Sequence, residues 1–225
     1  RAAVLGSVPV VGVLLAAGAD VNARNKEEYV GGDTPLHEAA AAGHADVVEI
    51  LIARGADPNA TDMTARTPLH GAVRWGQREA VMSLLAAGAD ANPRDEFERT
   101  PLDESIREES RDVASLLVSH GARPTLNYAA YIGDTELLRR LLREGAKVNR
   151  QYAGWMPLHA AVAGGQRAAA DFLLANGAKT DARGAGGTPL HLAAGKGYLD
   201  LVRLLLGHGA AVDACDDERE RPLHK

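Results

Sequence analysis

Residues 34–60 read TPLHEAAAAGHADVVEILIARGADPNA, and each part of this stretch has a local structural meaning. Thr34 stands before Pro35, where its hydroxyl can cap free backbone N–H groups while the ring is tolerated in a first helical turn. Gly43 then breaks the first helix and permits a tight turn. A second helix carries the aliphatic pair Leu51/Ile52 and stops at Gly55, the residue type best suited to a left-handed C-cap. The polar run Asp57-Pro58-Asn59-Ala60-Thr61-Asp62 reads as a turn. Neither helix can bury its apolar face alone, so stability must come from stacking against neighbours.

The neighbours are present. Gly-Ala recurs at Gly18, Gly55, Gly88, Gly121, Gly145, Gly177 and Gly209, in steps of 37, 33, 33, 24, 32 and 32 residues. An aliphatic pair precedes each one: Leu14/Leu15, Leu51/Ile52, Leu84/Leu85, Leu117/Val118, Leu141/Leu142, Leu173/Leu174 and Leu205/Leu206. A second marker, T-P-L-H or a close variant, begins at Thr34, Thr67, Thr100, Met156, Thr188 and Arg221. Two independent markers in one register establish an internal repeat.

The unit Thr34-Pro35-Leu36-His37…Gly43-His44…Leu51-Ile52-Ala53-Arg54-Gly55-Ala56-Asp57 resembles the ankyrin repeat, and the resemblance covers essentially the whole chain. It implies an all-α solenoid of about seven stacked helix pairs, each followed by a β-hairpin finger at right angles. The repeats run at about 1–33, 34–66, 67–99, 100–123, 124–155, 156–187 and 188–220, with another opening at 221–225, all in a single domain of residues 1–225. Paired helices are expected near 37–54, 70–87, 103–119, 127–143, 159–175 and 191–207, with a partial pair before them. Two departures stand out. The long first step places an insertion at 26–32 (KEEYVGG), and the short step between Gly121 and Gly145 removes most of a finger. That short step is either a hinge or a deletion within a continuous solenoid. Neither end carries a polar capping repeat, so the chain is expected to be a segment of a longer protein.

Composition narrows the function. Hydrophobic residues are 46% and charged residues 24% of the 225, a globular balance. A net charge of −5 argues against nucleic acid or an anionic membrane as partner. The single Cys215 excludes an internal disulfide and a cysteine-based zinc cage, and favours a reducing, cytoplasmic setting. Residues 1–17 (RAAVLGSVPVVGVLLAA) imitate a secretory signal, but the repeat register explains them as half of one repeat.

No catalytic constellation is visible. His37, His70, His159, His191 and His224 all fill the last place of the T-P-L-H marker, His44 follows a turn glycine, and His120 and His208 precede Gly-Ala. The marker histidines are expected to bond neighbouring backbone. The run Gly184-Ala185-Gly186-Gly187-Thr188 lacks the Lys-Ser/Thr of a phosphate loop and reads as a finger. The acidic stretches 95–98 and 216–220 read as solvated finger tips without metal-ligand spacing. No cofactor, metal site or enzymatic activity is expected.

In stacks of this family the partner lies on the concave face, built from finger residues just before the Thr place and from first-helix residues before the turn glycine. Carried over place by place, this selects Arg66, Arg74, Trp75, Phe97, Arg99, Arg107, Tyr131, Ile132, Tyr152 and Trp155, joined by Glu108, Arg123, Met63 and Glu96. Five of nine aromatic residues, including both tryptophans, fall in this set. Arginine beside exposed Trp and Tyr is the composition of interface hot spots; the alternative is that some rings cover the gap left by the missing finger. Arg66 and Arg99 are expected to form one ladder, and Arg74 and Arg107 a second. The resulting expectation is a monomeric scaffold or adaptor module that binds another protein or an extended, acidic peptide segment. The alternative is an accessory or targeting domain of an enzyme whose catalytic domain lies outside this chain.

Overall fold

The computed structural model describes residues 1–25 and 31–225. These residues form two compact units, Arg1–Arg123 and Pro124–Lys225. The boundary falls at the junction of the fourth and fifth repeats, where the finger is shortened. Of the insertion read at 26–32, residues 26–30 lie outside the described residues.

The first unit contains α1 (Val8–Ala16), α2 (Pro35–Ala42), α3 (Ala45–Ala53), α4 (Pro68–Arg74), α5 (Arg78–Ala86), α6 (Pro101–Arg107) and α7 (Arg111–Ser119). The second contains α8 (Leu126–Ile132), α9 (Thr135–Arg143), α10 (Pro157–Ala163), α11 (Arg167–Ala175), α12 (Pro189–Gly195) and α13 (Leu199–Gly207), with a short 3₁₀ turn at Pro222–His224. Within each unit, first helices pack on first helices (α2 on α4 on α6; α8 on α10 on α12). Second helices pack on second helices (α3 on α5 on α7; α9 on α11 on α13), and α1 joins the second-helix row beside α3. This is the stacked helix–turn–helix arrangement that the spacing implies, with six complete pairs among the described residues and α1 as the partial one.

The marker residues make these elements for identifiable reasons. At Thr34 the hydroxyl accepts the His37 N–H at 3.4 Å, while His37 Nδ1 accepts the Thr34 N–H at 3.2 Å, a reciprocal cap. The seven Gly-Ala glycines all take positive φ, between 81° and 94°, closing each second helix in the left-handed conformation. The Leu of five markers (Leu36, Leu69, Leu102, Leu158, Leu190) goes to the core, as does the first member of most aliphatic pairs (Leu51, Leu84, Leu117, Leu173, Leu205), whereas Leu223 of the last marker is exposed. Each such burial is worth roughly 1.5–3 kcal/mol. α1 and α9 are the exceptions: Leu14 is exposed in α1, and in α9 Leu138 takes the fully buried place while Leu141 and Leu142 are only half-buried.

The fingers depart from the expected hairpins. Among the described residues no strand forms, only isolated bridges at Tyr152–Trp155 and Gly184–Gly187. The physical reason lies in aspartate side chains that replace ladder bonds. Asp62 N–H donates to the Arg66 carbonyl at 2.8 Å, and the Asp62 carboxylate accepts the Thr64 and Arg66 N–H groups at 2.7 and 2.8 Å. Asp95 and Asp216 close their fingers in the same way. One backbone pair per finger is then enough. Both aspartates are buried, which corrects the reading of these acidic stretches as simply solvated surface.

Asparagines tie consecutive repeats together. Asn92 Nδ2 donates to the Gly121 carbonyl at 3.0 Å, and its Oδ1 accepts the Arg123 N–H at 2.8 Å. Asn149 spans to Gly177 and Lys179 in the second unit with the same geometry. Each thereby satisfies a helix-end carbonyl that has no partner within its own helix.

Candidate functional site

The marker histidines connect each first helix to the next finger. With Nδ1 occupied as an acceptor, Nε2 carries the proton and faces a carbonyl: that of Arg66 from His37 at 3.0 Å, and that of Arg99 from His70 at 3.2 Å. His159 reaches the Gly187 carbonyl at 3.3 Å, and His191 the Glu220 carbonyl at 3.0 Å. Burial lowers the pKa of His37 and His70, and takes His159 to about 4 against these carbonyl bonds. These imidazoles are structural bridges, those of His37, His70 and His159 held neutral by burial, and in the first unit they bond the carbonyls of Arg66 and Arg99.

Of the expected ladders, Arg74 and Arg107 face a common carboxylate, whereas Arg66 and Arg99 pair with different ones. Arg66, Arg74 and Arg107 converge on one oxygen of Glu104, at 3.6, 3.6 and 3.8 Å. Arg99 turns instead to Asp95, at 2.7 Å, and stacks over the Phe97 ring at 4.6 Å. Burial pushes the Asp95 carboxyl up, but the Arg99 guanidinium and the backbone N–H groups outweigh it and hold the carboxyl below the usual range. Beside these charges stand exposed apolar groups. Trp75 and Phe97 are each 64% exposed, and Met63 on the preceding finger is exposed as well. Glu96 N–H donates to the Thr64 carbonyl at 3.0 Å, which joins the Met63 and Phe97 fingers. The first unit therefore exposes Met63, Trp75 and Phe97 on the same repeats that carry these arginines.

The second unit corrects part of the expected site. Tyr131 is only 4% exposed and Trp155 only 6%, so neither ring faces solvent. Tyr131 was placed by counting back from the turn glycine. α8, however, has one residue fewer between its Thr125 cap and Gly133 than α2 has between Thr34 and Gly43. Counted from the cap, Tyr131 matches Val73 and Ile106, both core residues. Trp155 lies under its finger, where its indole N–H donates to the Ala185 carbonyl at 3.1 Å and its own carbonyl accepts from Asn127 at 3.2 Å. Ile132 and Tyr152 remain half-exposed, with the Arg150 guanidinium 5.0 Å from the Tyr152 ring centre. Arg123 is exposed at the end of the first unit, its N–H held by Asn92.

Glu104 is the residue that the sequence alone did not single out. Its side chain is 1% exposed. The sequence signal was weak, because the same place holds Gly71, Ala129 and Ala160 in three repeats but Glu38 and Leu192 in two others. Asp103, replacing the marker histidine, keeps half of that residue's work. Its carboxylate accepts the Thr100 N–H at 3.1 Å and the hydroxyl at 2.8 Å, but an ionised carboxylate cannot donate across to a carbonyl of the next finger.

The remaining sequence candidates resolve into structure. The Gly184–Gly187 run is a finger tip in which a Cβ at Gly184 would lie 2.8 Å from His159 Nε2 and one at Gly187 would lie 2.9 Å from the His191 ring. Its glycines admit the histidine bridges. Asp216, Glu218 and Glu220 stand close enough to share a cation, and the Lys225 ammonium lies among them, 2.8 Å from Asp216 and 2.5 Å from Glu220. No helix among the described residues is long and apolar enough to cross a membrane.

Comparison with known proteins agrees with this architecture. A family model described as ankyrin repeats (3 copies) matches residues 1–95, 62–127 and 126–216. Among solved structures, the human ASB11 ankyrin repeat domain superposes with a TM-score of 0.51 at 26% identity, covering 85% of this chain and 90% of that one. No curated protein sequence matches the chain significantly.

Proposed function

The chain belongs to the ankyrin repeat family, whose members are generally protein–protein interaction modules, and on that basis we propose that it is a non-catalytic scaffold or adaptor. Its partner docks on the finger and first-helix side of the first unit, the concave face in stacks of this kind. The carrying observation is the exposure of Trp75 and Phe97 beside Arg74, Arg99 and Arg107. A large exposed indole next to guanidinium groups supplies apolar area and directed hydrogen bonds together, the pairing that dominates interface energetics. Because these groups sit on capped helices and Asp-closed fingers, little ordering is required on binding. The partner segment is extended and acidic, matching the arginines, and the setting is a reducing, cytoplasmic one, in keeping with the lone Cys215.

Affinity capture from lysate of the source cell, followed by titration of the identified partner, tests this reading. Trp75→Ala should weaken the partner's affinity by about 2 kcal/mol or more, roughly thirtyfold, with the fold intact. Unchanged affinity for Trp75→Ala and Phe97→Ala together would move the interface off this surface.

A further inference from the structure

The guanidinium cluster of the first unit carries a more specific inference, which rests on the proposed protein-binding role and names what the cluster takes. Three guanidinium groups face one carboxylate oxygen at 3.6–3.8 Å. All three separations exceed hydrogen-bonding distance. Glu104 Oε1 and Arg66 Nη2 are both buried, and neither has a hydrogen-bond partner among the described residues. Glu108 adds a second carboxylate, 3.9 Å from Arg107 Nε. Within this group three cations stand against two anions, which leaves one positive charge in excess beside a buried Glu.

The exposure of the three arginines is graded. Arg66 is 16% exposed, whereas Arg74 and Arg107 are 39% and 32% exposed. The buried guanidinium thus lies beneath two that still reach solvent. Each guanidinium has a fork of five donors, far more than one carboxylate can accept, and the fork geometry matches a second carboxylate bidentately. A single negative charge would neutralise the cluster, whereas a dianion would overshoot.

We infer that Arg74 and Arg107, backed by Arg66, form a subsite for one carboxylate side chain of an extended acidic peptide. Glu104 is the internal counter-ion that keeps the three guanidinium groups gathered and competes with the incoming carboxylate for them. Trp75 and Phe97 flank the cluster and take the apolar side chains that alternate with the acidic one.

The test uses the full chain and two fluorescein-labelled decapeptides, one alternating glutamate with leucine and one alternating glutamine with leucine, read by fluorescence anisotropy. The glutamate peptide should bind at least tenfold tighter. Arg74→Gln and Arg107→Gln should each reduce that preference by threefold or more. Glu104→Gln should raise affinity for the glutamate peptide and leave the glutamine peptide unchanged. Circular dichroism melts identify any variant that unfolds, and because Arg74 and Arg107 are partly exposed, their variants keep the test informative if Glu104→Gln does not fold. Equal binding of the two peptides, or full preference retained in both arginine variants, overturns the subsite. A Glu104→Gln variant that folds and binds the glutamate peptide more weakly overturns the competitor role. If both peptides bind equally and Trp75→Ala abolishes that binding, the protein-binding reading stands and the carboxylate subsite alone fails.

Discussion

The two tryptophans show how far one residue's fate depends on its immediate neighbours. Trp75 caps α4 with its ring in solvent, while Trp155 sits beneath a finger with its indole N–H bonded to the Ala185 carbonyl. Their replacement by alanine should therefore separate stability from binding. Trp155→Ala leaves a cavity and an unpaired carbonyl, and should cost about 3–5 kcal/mol. Trp75→Ala truncates a ring that is mostly in solvent and should change stability by about 0.5 kcal/mol or less. Urea denaturation of both variants checks this, and a large loss for Trp75→Ala would mean that its ring is held against the fold. In α9, Leu138→Ala should fall in the range of about 2–5 kcal/mol, with Leu141→Ala below it, because Leu141 is only half-buried.

At the scale of elements, the close approach of first helices is set by small residues. A Cβ at Gly164, the residue that closes α10, would lie 2.1 Å from the Tyr131 carbonyl oxygen of α8. Its φ of −76° is ordinary, so backbone conformation does not demand glycine here; the neighbouring helix does. In an isolated helix Gly→Ala is favourable by roughly 1 kcal/mol. Here Gly164→Ala should destabilise the second unit by about 1–3 kcal/mol, since backbone cannot step aside as a flexible side chain would. A thermal melt with an unchanged or raised midpoint would show that α8 and α10 can separate without cost. The same crowding is seen in the full burial of Ala129 and Ala160.

Across the whole molecule, the histidine bridges make stability depend on pH. His37, His70 and His159 have folded pKa values below 6.5, and His159 is near 4, chiefly because burial penalises the charged ring. Between pH 6.5 and 4 the unfolded chain binds protons at His159 that the native chain refuses. Stability is therefore complete above 6.5 and is lost as pH falls through that window. The urea midpoint should decline across it, and His159→Gln should flatten part of the decline. A wild-type midpoint constant from pH 7 to 4.5 would contradict the neutral-bridge assignment. The loss is felt in both units, because each contains bridges of this kind.

Much of this was legible from residue spacing. Thr-Pro-Leu-His, the turn glycine, the aliphatic pair and Gly-Ala each act within a few residues, through capping, φ preference and helical periodicity. Linear order therefore identifies the helices, their ends and most of the Leu residues that face inward, whereas the shortened finger at Gly121 left open whether the chain divides there, and only the stacked structure shows two compact units. The surface was legible only where the register held. Trp75, Phe97, Arg74 and Arg107 lie where the repeat places them, but one residue fewer in α8 turned Tyr131 inward. Long side chains escape such local rules because their ends travel several ångströms from their own backbone. Arg74 and Arg107 hold the same place in consecutive repeats and Arg66 lies on the finger before them, yet all three side chains meet because Glu104 buries a charge that converging guanidinium groups balance. Which arginine reaches which carboxylate follows from packing and electrostatics between repeats, and those distances exist only once the helices are stacked.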